Sequence, residues 1–348
     1  MLDDLIEAVI SENASDLHLA EDREPIIRVA GELIPLTGRP KLSRADMQDV
    51  LDLLLVEDNK QIFQKRMQVD FSYGFKNKTR FRCNAYVRQG KYSLALRNIP
   101  NNIRTLQELN LPDTLEMFAR KKQGFFLVVG PTGNGKTTTI AAIIDIINQN
   151  RMEHIITIED PIEYVIPPKK SVIDQREVRT DTPDFATALE GIFRQDIDVA
   201  LIGEMRTPET MATAVTAAET GHLVFSTLHT NNAAQTIERI TDSFPANQQD
   251  QIRLQLAGSL IGIFSIRLIP RVSGGLVPAY ELLIANNAVQ NLIREKRTHE
   301  IGTVIETSSG EGMIDLNRSL ANLVQAGEIT IENAYIHSIN QKTLEKML

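Results

Sequence analysis

The sequence predicts an α/β protein in which a small α+β domain precedes a larger domain built on a parallel sheet and a phosphate-binding loop. Three observations predict it. Residues Gly130 to Thr137 read Gly-Pro-Thr-Gly-Asn-Gly-Lys-Thr, which fits the pattern G-x-x-x-x-G-K-[ST] without a mismatch. Four short apolar runs separated by helical stretches each end at a polar cluster: Phe125–Val129, Ile155–Ile158, Val199–Ile202 and Leu223–Phe225. Runs that do not alternate mark strands buried on both faces, as in a parallel sheet. A chain of 348 residues is long enough for about two domains, each with its own core.

The composition excludes several classes. At 42% hydrophobic and 24% charged it is that of an ordinary soluble globular protein. The single cysteine, Cys83, excludes an internal disulfide framework and a four-cysteine zinc site. Met1-Leu2-Asp3-Asp4-Leu5-Ile6-Glu7 is acidic where a signal peptide is basic. The longest apolar stretch, Leu256 to Ile266, is interrupted by glycine and serine, stops at Arg267 and is too short to cross a bilayer. The expected location is the cytoplasm. A net charge of −8 argues against a nucleic acid as the main partner, while leaving room for a local basic groove.

Taken in order, Ile26–Val29 and Glu32–Leu36 flank Gly31 and read as a hairpin. Ser43 to Phe63 reads as one helix, with Ser43 as its N-cap and Asp46 three residues on. Phe71–Phe75, Arg80–Arg88 and Tyr92–Ile99 read as strands, and Ile99-Pro100-Asn101-Asn102 as the start of a linker. The expected boundaries are an amino-terminal domain over 1–99, a linker over 100–113 and a phosphate-loop domain over 114–348, helical again from about 270. There, Leu316, Leu320, Leu323 and Val324 form an apolar stripe ending at Gly327, a C-cap signal.

The loop carries the chemistry. Phe125–Val129 enters it and the apolar stretch from Thr138 to Ile147 leaves it as a helix. Its backbone N–H groups would close around phosphate oxygens at a helix N-terminus. Lys136 would reach the β- and γ-phosphates, and Thr137 would offer a hydroxyl to Mg²⁺. The expected nucleotide contacts are Gly130, Pro131, Thr132, Gly133, Asn134, Gly135, Lys136, Thr137 and Thr138, and the expected ligands are ATP and Mg²⁺. Ligands of such sheets bind beyond the carboxyl ends of the strands, so the four polar clusters should converge on the nucleotide. Val199–Ile202 leads to Gly203-Glu204, making Glu204 the acid for Mg²⁺ or its waters, and for the attacking water. Glu159-Asp160-Pro161-Ile162-Glu163 packs three acids into five positions, which suits metal support or a general base. The base role is open between Glu163 and Glu204.

His222 and His229 bracket one apolar run. They lack a third partner for a metal, and read either as packing residues or as groups that sense the γ-phosphate or tie neighbouring segments together. Lys78, Arg80, Arg82, Arg88, Lys91, Arg97 and Arg104 form a run without an intervening acid. It reads as a solvated hairpin face, a nucleic-acid surface, or arginines offered to a neighbouring subunit's phosphates, where such a group accelerates phosphoryl transfer by about 10³–10⁵.

Together Gly130–Thr139, Thr157–Tyr164, Gln175–Val178, Ile202–Arg206 and Ala217–Thr230 resemble the secretion ATPase superfamily, and are similar in particular to its type IV pilus retraction branch, the PilT family. The resemblance runs from Ala14-Ser15-Asp16-Leu17-His18-Leu19 to the C-terminal helices. It implies a PAS-like amino-terminal domain, a RecA-like ATPase domain with C-terminal helices, and a homohexameric ring driving pilus retraction and twitching motility. It implies Glu204, Glu163, Arg82, Arg97, His222 and His229 as catalytic or coupling residues, with Thr137 and Glu204 holding Mg²⁺ directly or through water. The implied partners are the inner-membrane platform protein of the pilus machinery and, through it, the pilin fibre; stable nucleic-acid binding and structural zinc are not expected. Assembly and type II secretion motors usually carry a further amino-terminal domain and a tetracysteine element, so one cysteine and a start at the PAS-like domain favour the retraction side. Departures from the family pattern are Gln290 for arginine in Ala288-Val289-Gln290-Asn291-Leu292-Ile293-Arg294-Glu295, Thr207 for the aspartate after Gly203-Glu204-Met205-Arg206, and Asn134 for serine. Gln290 leaves an accessory retraction paralogue open. A nucleic-acid translocase and a non-hydrolysing ring subunit are the readings from other classes.

Overall fold

A computed structural model describes residues 1–29, 31–76, 79–99 and 102–348. Lys78 of the basic run and Pro100 and Asn101 of the expected linker lie outside the described residues. The chain divides into two compact units, Met1–Asn102 with Pro161–Val165, and Ile103–Asp160 with Ile166–Leu348.

In the first unit, β1 (Asp16–Ala20), β2 (Ile26–Val29), β3 (Glu32–Pro35), β4 (Gln68–Phe75), β5 (Thr79–Arg88) and β6 (Lys91–Ile99) form an antiparallel sheet in the order β3-β2-β1-β6-β5-β4. Helices α1 (Leu2–Ser11), α2 (Arg44–Leu54) and α3 (Glu57–Arg66) complete it. β5 alternates between its two faces: Phe81, Cys83 and Ala85 are buried in the core with Leu17, Leu94 and Leu96, while Arg82 is exposed.

The helix expected over Ser43 to Phe63 is two helices. Ser43 and Asp46 do form a reciprocal capping box, but α2 stops at Leu54, and Leu55 turns extended with φ −88° and ψ 118°. Met47, Val50, Leu51 and Leu54 bury at i, i+3, i+4 and i+7, and Leu55 continues the same stripe at i+8, so its burial does not require the break. Beyond the break Leu55 is buried, and Val56, the N-cap of α3, is exposed.

In the second unit, β7 (Gly124–Val129), β8 (His154–Glu159), β9 (Val172–Glu177), β10 (Val199–Ile202), β11 (Leu223–Leu228), β12 (Leu260–Pro270) and β13 (Leu276–Ile284) form one sheet in the order β13-β12-β7-β11-β10-β8-β9. All neighbours are parallel except the β12–β13 hairpin. The four apolar runs are the central strands, and their alternate residues enter different cores. Phe125, Leu127 and Val129 of β7 join one apolar cluster, and Phe126 and Val128 the other. That is why these strands do not alternate in sequence: both faces are covered. Helices α4 (Glu116–Ala119), α5 (Lys136–Asn150), α6 (Phe185–Ile192), α7 (Pro208–Glu219), α8 (Ala233–Asp242) and α9 (Ala246–Ser259) supply the cover. Ile140, Ile143, Ile144 and Ile147 of α5 share a cluster with Phe126, whereas Met211 of α7 and Leu256 of α9 share one with Phe125.

The carboxy-terminal part differs from expectation before it agrees. The apolar stretch Leu256 to Ile266 is the end of α9 running into β12, and 276–284 is a strand rather than a helix because it pairs with β12 from Gly262↔Ile284 to Pro270↔Leu276. Helices follow as α10 (Asn287–Arg294), α11 (Ile301–Thr307), α12 (Leu316–Gln325), α13 (Ile331–His337) and α14 (Gln341–Glu345). Leu316 and Leu320 bury against Ile269, Val277 and Ala279 of the hairpin, and Leu323 and Val324 pack beside them. α12 closes as expected. Glu328 N–H donates to Leu323 O and Gly327 N–H to Val324 O, both at 2.9 Å, a Schellman ending. No helix among the described residues is long and apolar enough to cross a membrane.

Where β7 gives way to the loop, Gly130 has φ 143° and presses on β12 so closely that a Cβ there would lie 2.3 Å from Ile266 O. Gly130→Ala is therefore expected to cost about 1–3 kcal/mol of stability, measured by urea denaturation. An unchanged midpoint would contradict the close approach.

Candidate functional site

The phosphate loop bridges β7 and α5. Gly135 is the N-cap of α5 with φ 81°, a backbone conformation that glycine adopts without penalty. Asn134 fastens the loop on two sides. Its Oδ1 accepts from Leu268 N–H of β12 at 2.8 Å, and its Nδ2 donates to Thr132 O at 3.1 Å. A serine hydroxyl, shorter and with a single hydrogen to donate, would be hard put to span both partners. Lys136 is only 8% exposed. Its Nζ donates to Gly130 O at 2.8 Å and Pro131 O at 3.0 Å, so the ammonium lies over the loop's own carbonyls. Thr137 and Thr138 occupy the first turn of α5, both partly exposed.

The facing wall comes from β10 and β11. Gly203 N–H donates to Ile158 O at 2.8 Å, and the Thr227 hydroxyl donates to Gly203 O at 2.6 Å, fixing the chain from both neighbouring strands just before Glu204. The Glu204 carboxylate pairs with Arg206, and one of its oxygens lies 3.6 Å from His229 Nε2. The other ring nitrogen, Nδ1, lies 3.4 Å from both Thr132 Oγ1 and Lys136 Nζ. The imidazole of His229 thus stands between the phosphate loop and Glu204. These groups line a cavity of about 810 Å³ whose wall includes Pro131, Thr132, Glu204, Arg206, His229 and Asn231. A cation, a carboxylate and an imidazole converging beside a helix N-terminus can bind a polyphosphate and order a water next to it.

His222 does not join them. It precedes β11 whereas His229 follows it, and six strand residues separate the two ends by about 20 Å. Its Nδ1 faces Ala217 O at 2.9 Å, and its ring meets Phe193 edge-on with centroids 5.9 Å apart. The acidic cluster is likewise divided. Glu159 is buried at the end of β8 and accepts from Thr157 Oγ1 at 2.7 Å, while Asp160 pairs with Arg179 at 3.0 Å. Glu163 is exposed and belongs to the segment Pro161–Val165, which groups with the amino-terminal unit.

Arg82 and Arg97 stand directly opposite each other on β5 and β6. Arg97 Nε donates to Asp16 Oδ1 at 2.9 Å. Burial would raise the Asp16 carboxyl, but hydrogen bonds from Ser15 and Arg97 outweigh it and hold the group below the ordinary carboxylate range. Arg88 of the same basic run is held by Glu21 O and Ser93 Oγ. Residues that sequence reasoning did not assign to the site are Arg206, Thr227, Asn231, Gln235 and Arg239. Gln235 and Arg239 had a signal: four residues apart, they fall on the face of α8 away from buried Ile237 and Ile240. Among the described residues no group of three or more His, Cys, Asp or Glu side chains could hold a metal ion.

Comparison with known proteins places the chain in a family. Residues 1–274 match the family model described as Type II/IV secretion system protein. A twitching motility protein of Neisseria gonorrhoeae is 42% identical over 321 residues, covering 92% of this chain and 86% of the relative. The type IV pilus retraction ATPase PilT of Pseudomonas aeruginosa is 40% identical over 323 residues, covering 93% and 94%. A crystal structure of the pilus retraction motor PilT with bound ADP matches at a TM-score of 0.92 and 45% identity, covering 99% of both chains. With the family model matched over residues 1–274 and these relatives similar over most of its length, the chain belongs to the type II/IV secretion system protein family.

Proposed function

We propose that this protein is an ATP-hydrolysing motor that drives type IV pilus retraction as a homohexamer. The observation that carries the reading is His229, whose two ring nitrogens face Lys136 and Thr132 of the loop on one side and Glu204 on the other. In this reading 1–99 serves as a PAS-like domain, 100–113 as the linker and 114–348 as a RecA-like motor. The ring works at the cytoplasmic face of the inner membrane, pushing on the platform protein and through it on the pilin fibre.

The loop from Gly130 to Thr138 receives the phosphates, and Lys136 exchanges the Gly130 and Pro131 carbonyls for β- and γ-phosphate oxygens. Thr137 and Glu204 offer a hydroxyl and a carboxylate, oxygen donors of the kind a hard cation takes, and would hold Mg²⁺ directly or through water. When bound, the cation neutralises the charge that develops on the transferring phosphoryl group. Glu204 orients and deprotonates the attacking water, favoured over Glu163 because it shares the cavity with the loop. His229 reports the state of the γ-phosphate to Glu204, and His222, at the far end of β11, ties neighbouring segments together. Arg82 and Arg97 serve a neighbouring subunit. Like charges placed directly opposite on a sheet destabilise it, so two facing arginines fit a surface that meets an anion. Gln290 on α10 supports a second reading, an accessory retraction paralogue of the same chemistry. Restoration of twitching in a strain lacking the main motor would exclude that second reading.

Lys136→Ala should abolish steady-state ATP turnover. Glu204→Gln should still bind ATP but hydrolyse it about 10²–10⁴-fold more slowly. Normal rates in both variants would overturn the site.

Arg97→Ala should bind ATP nearly normally and lose up to about 10³-fold in turnover. Mixing it with Lys136→Ala subunits should restore part of the activity, because some boundaries then join an intact loop to an intact arginine. No recovery on mixing would mean the arginine acts within its own subunit or only holds the hairpin. The same mixing applies to Arg82→Ala.

A further inference from the structure

Glu281 on β13 is 6% exposed and has no part in the chemistry above. Its Oε1 accepts a 2.7 Å hydrogen bond from the backbone N–H of Ala233, the first residue of α8. Ser265 on β12 is its direct partner across the hairpin, and donates from Oγ to the carbonyl of Asn231 at 2.9 Å. One paired step of the β12–β13 hairpin therefore grips the chain on both sides of Asn232, the N-cap of α8. The gripped turn follows directly on His229 and Thr230. Asn231 lines the cavity, as do Gln235 and Arg239 on the helix that the turn launches.

We propose that Glu281 and Ser265 are positioning residues for ATP hydrolysis: they fix the turn Asn231–Ala233 and through it hold His229 between the phosphate loop and Glu204. This rests on reading that cavity as the hydrolytic site. An ionised acceptor makes a hydrogen bond roughly twice as strong as a neutral one, and a negative charge at a helix N-terminus is favourable. The charged groups facing Glu281 are Arg267 on β12 and Asp315, the N-cap of α12. Burial pushes the Glu281 carboxyl up to about 7; the Ala233 bond and Arg267 pull down, and Asp315 pushes up. The grip is therefore firm above neutrality and slackens as the carboxyl takes a proton.

Stability moves the other way. A carboxyl whose folded value is raised stabilises the fold below the ordinary glutamate range, and that contribution is lost as pH rises through about 7. A positioning role and a structural role therefore differ in sign. Full-length Glu281→Gln keeps shape and an acceptor but no charge. At about pH 8 it should lose about tenfold in kcat, keep KM and ADP affinity within about twofold, and melt no lower than the parent. The fall of kcat on the acid side of about pH 7 should flatten, since the variant resembles the protonated state at every pH. Ser265→Ala should lower kcat while retaining that fall. Parental kcat and pH profile in Glu281→Gln would overturn the proposal. So would losses of kcat, ADP affinity and melting temperature together, the mark of a structural strut. If Glu281→Gln does not fold, Ser265→Ala decides alone: unchanged kcat overturns the proposal. Glu204→Gln and His229→Ala measured alongside separate the two readings. Normal turnover in those variants means the hydrolytic site is elsewhere, whereas crippled turnover there beside a normal Glu281→Gln leaves the site and removes only the positioning role.

Discussion

The close approach of the phosphate loop to β12 is the constraint on which the catalytic unit depends. β7 is buried along all six residues, with β11 on one edge and β12 on the other. At its end Gly130 leaves no room for a side chain beneath Ile266 O, and Asn134 returns to β12 through Leu268 N–H. Two contacts with one strand fix where the loop ends and α5 begins, and with them the position of Lys136. Because interiors pack as densely as organic crystals, a loop held this way cannot drift from the strand without opening a void.

The facing wall uses the same sheet differently. Gly203 donates its N–H to Ile158 O and accepts from the Thr227 hydroxyl, so Glu204 is carried by β8, β10 and β11 together. Its neighbours Arg206 and His229 are the groups that make a partly buried carboxylate tolerable. His229 reaches both walls because β11 lies between β7 and β10 in the sheet. Sequence order is irrelevant to this convergence. The loop lies about a hundred residues upstream, and only strand order brings the groups together.

In the amino-terminal unit, one face of the sheet is basic. Arg82 and Arg97 face each other directly, and Asp16, held below the ordinary carboxylate range, pairs with Arg97 and lies within 3.9 Å of Arg28. That arrangement supports the proposal that the face meets an anion.

The parallel sheet was legible because its central strands bury both faces, so Phe125 to Val129 and its counterparts carry no charged residue and only one polar one, Thr157. The loop was legible because few residue types satisfy a glycine turn, a buried ammonium and a helix start at once. The Schellman ending of α12 followed from Gly327 for a similar local reason. What sequence misread needed partners distant in the chain. The break at Leu55 interrupts an apolar stripe that runs on without a proline or glycine, and β13 is a strand because β12 offers it nine paired positions. The acidic cluster reads as one feature in sequence, yet Glu159 and Asp160 are taken up by Thr157 and Arg179. Likewise His222 and His229 read as a pair, and only the rise of β11 sends one to the cavity and the other to Ala217. Local chemistry was determined by the sequence alone; which groups meet was decided by strand order and packing, since contact energies between residues far apart in the chain leave no local pattern.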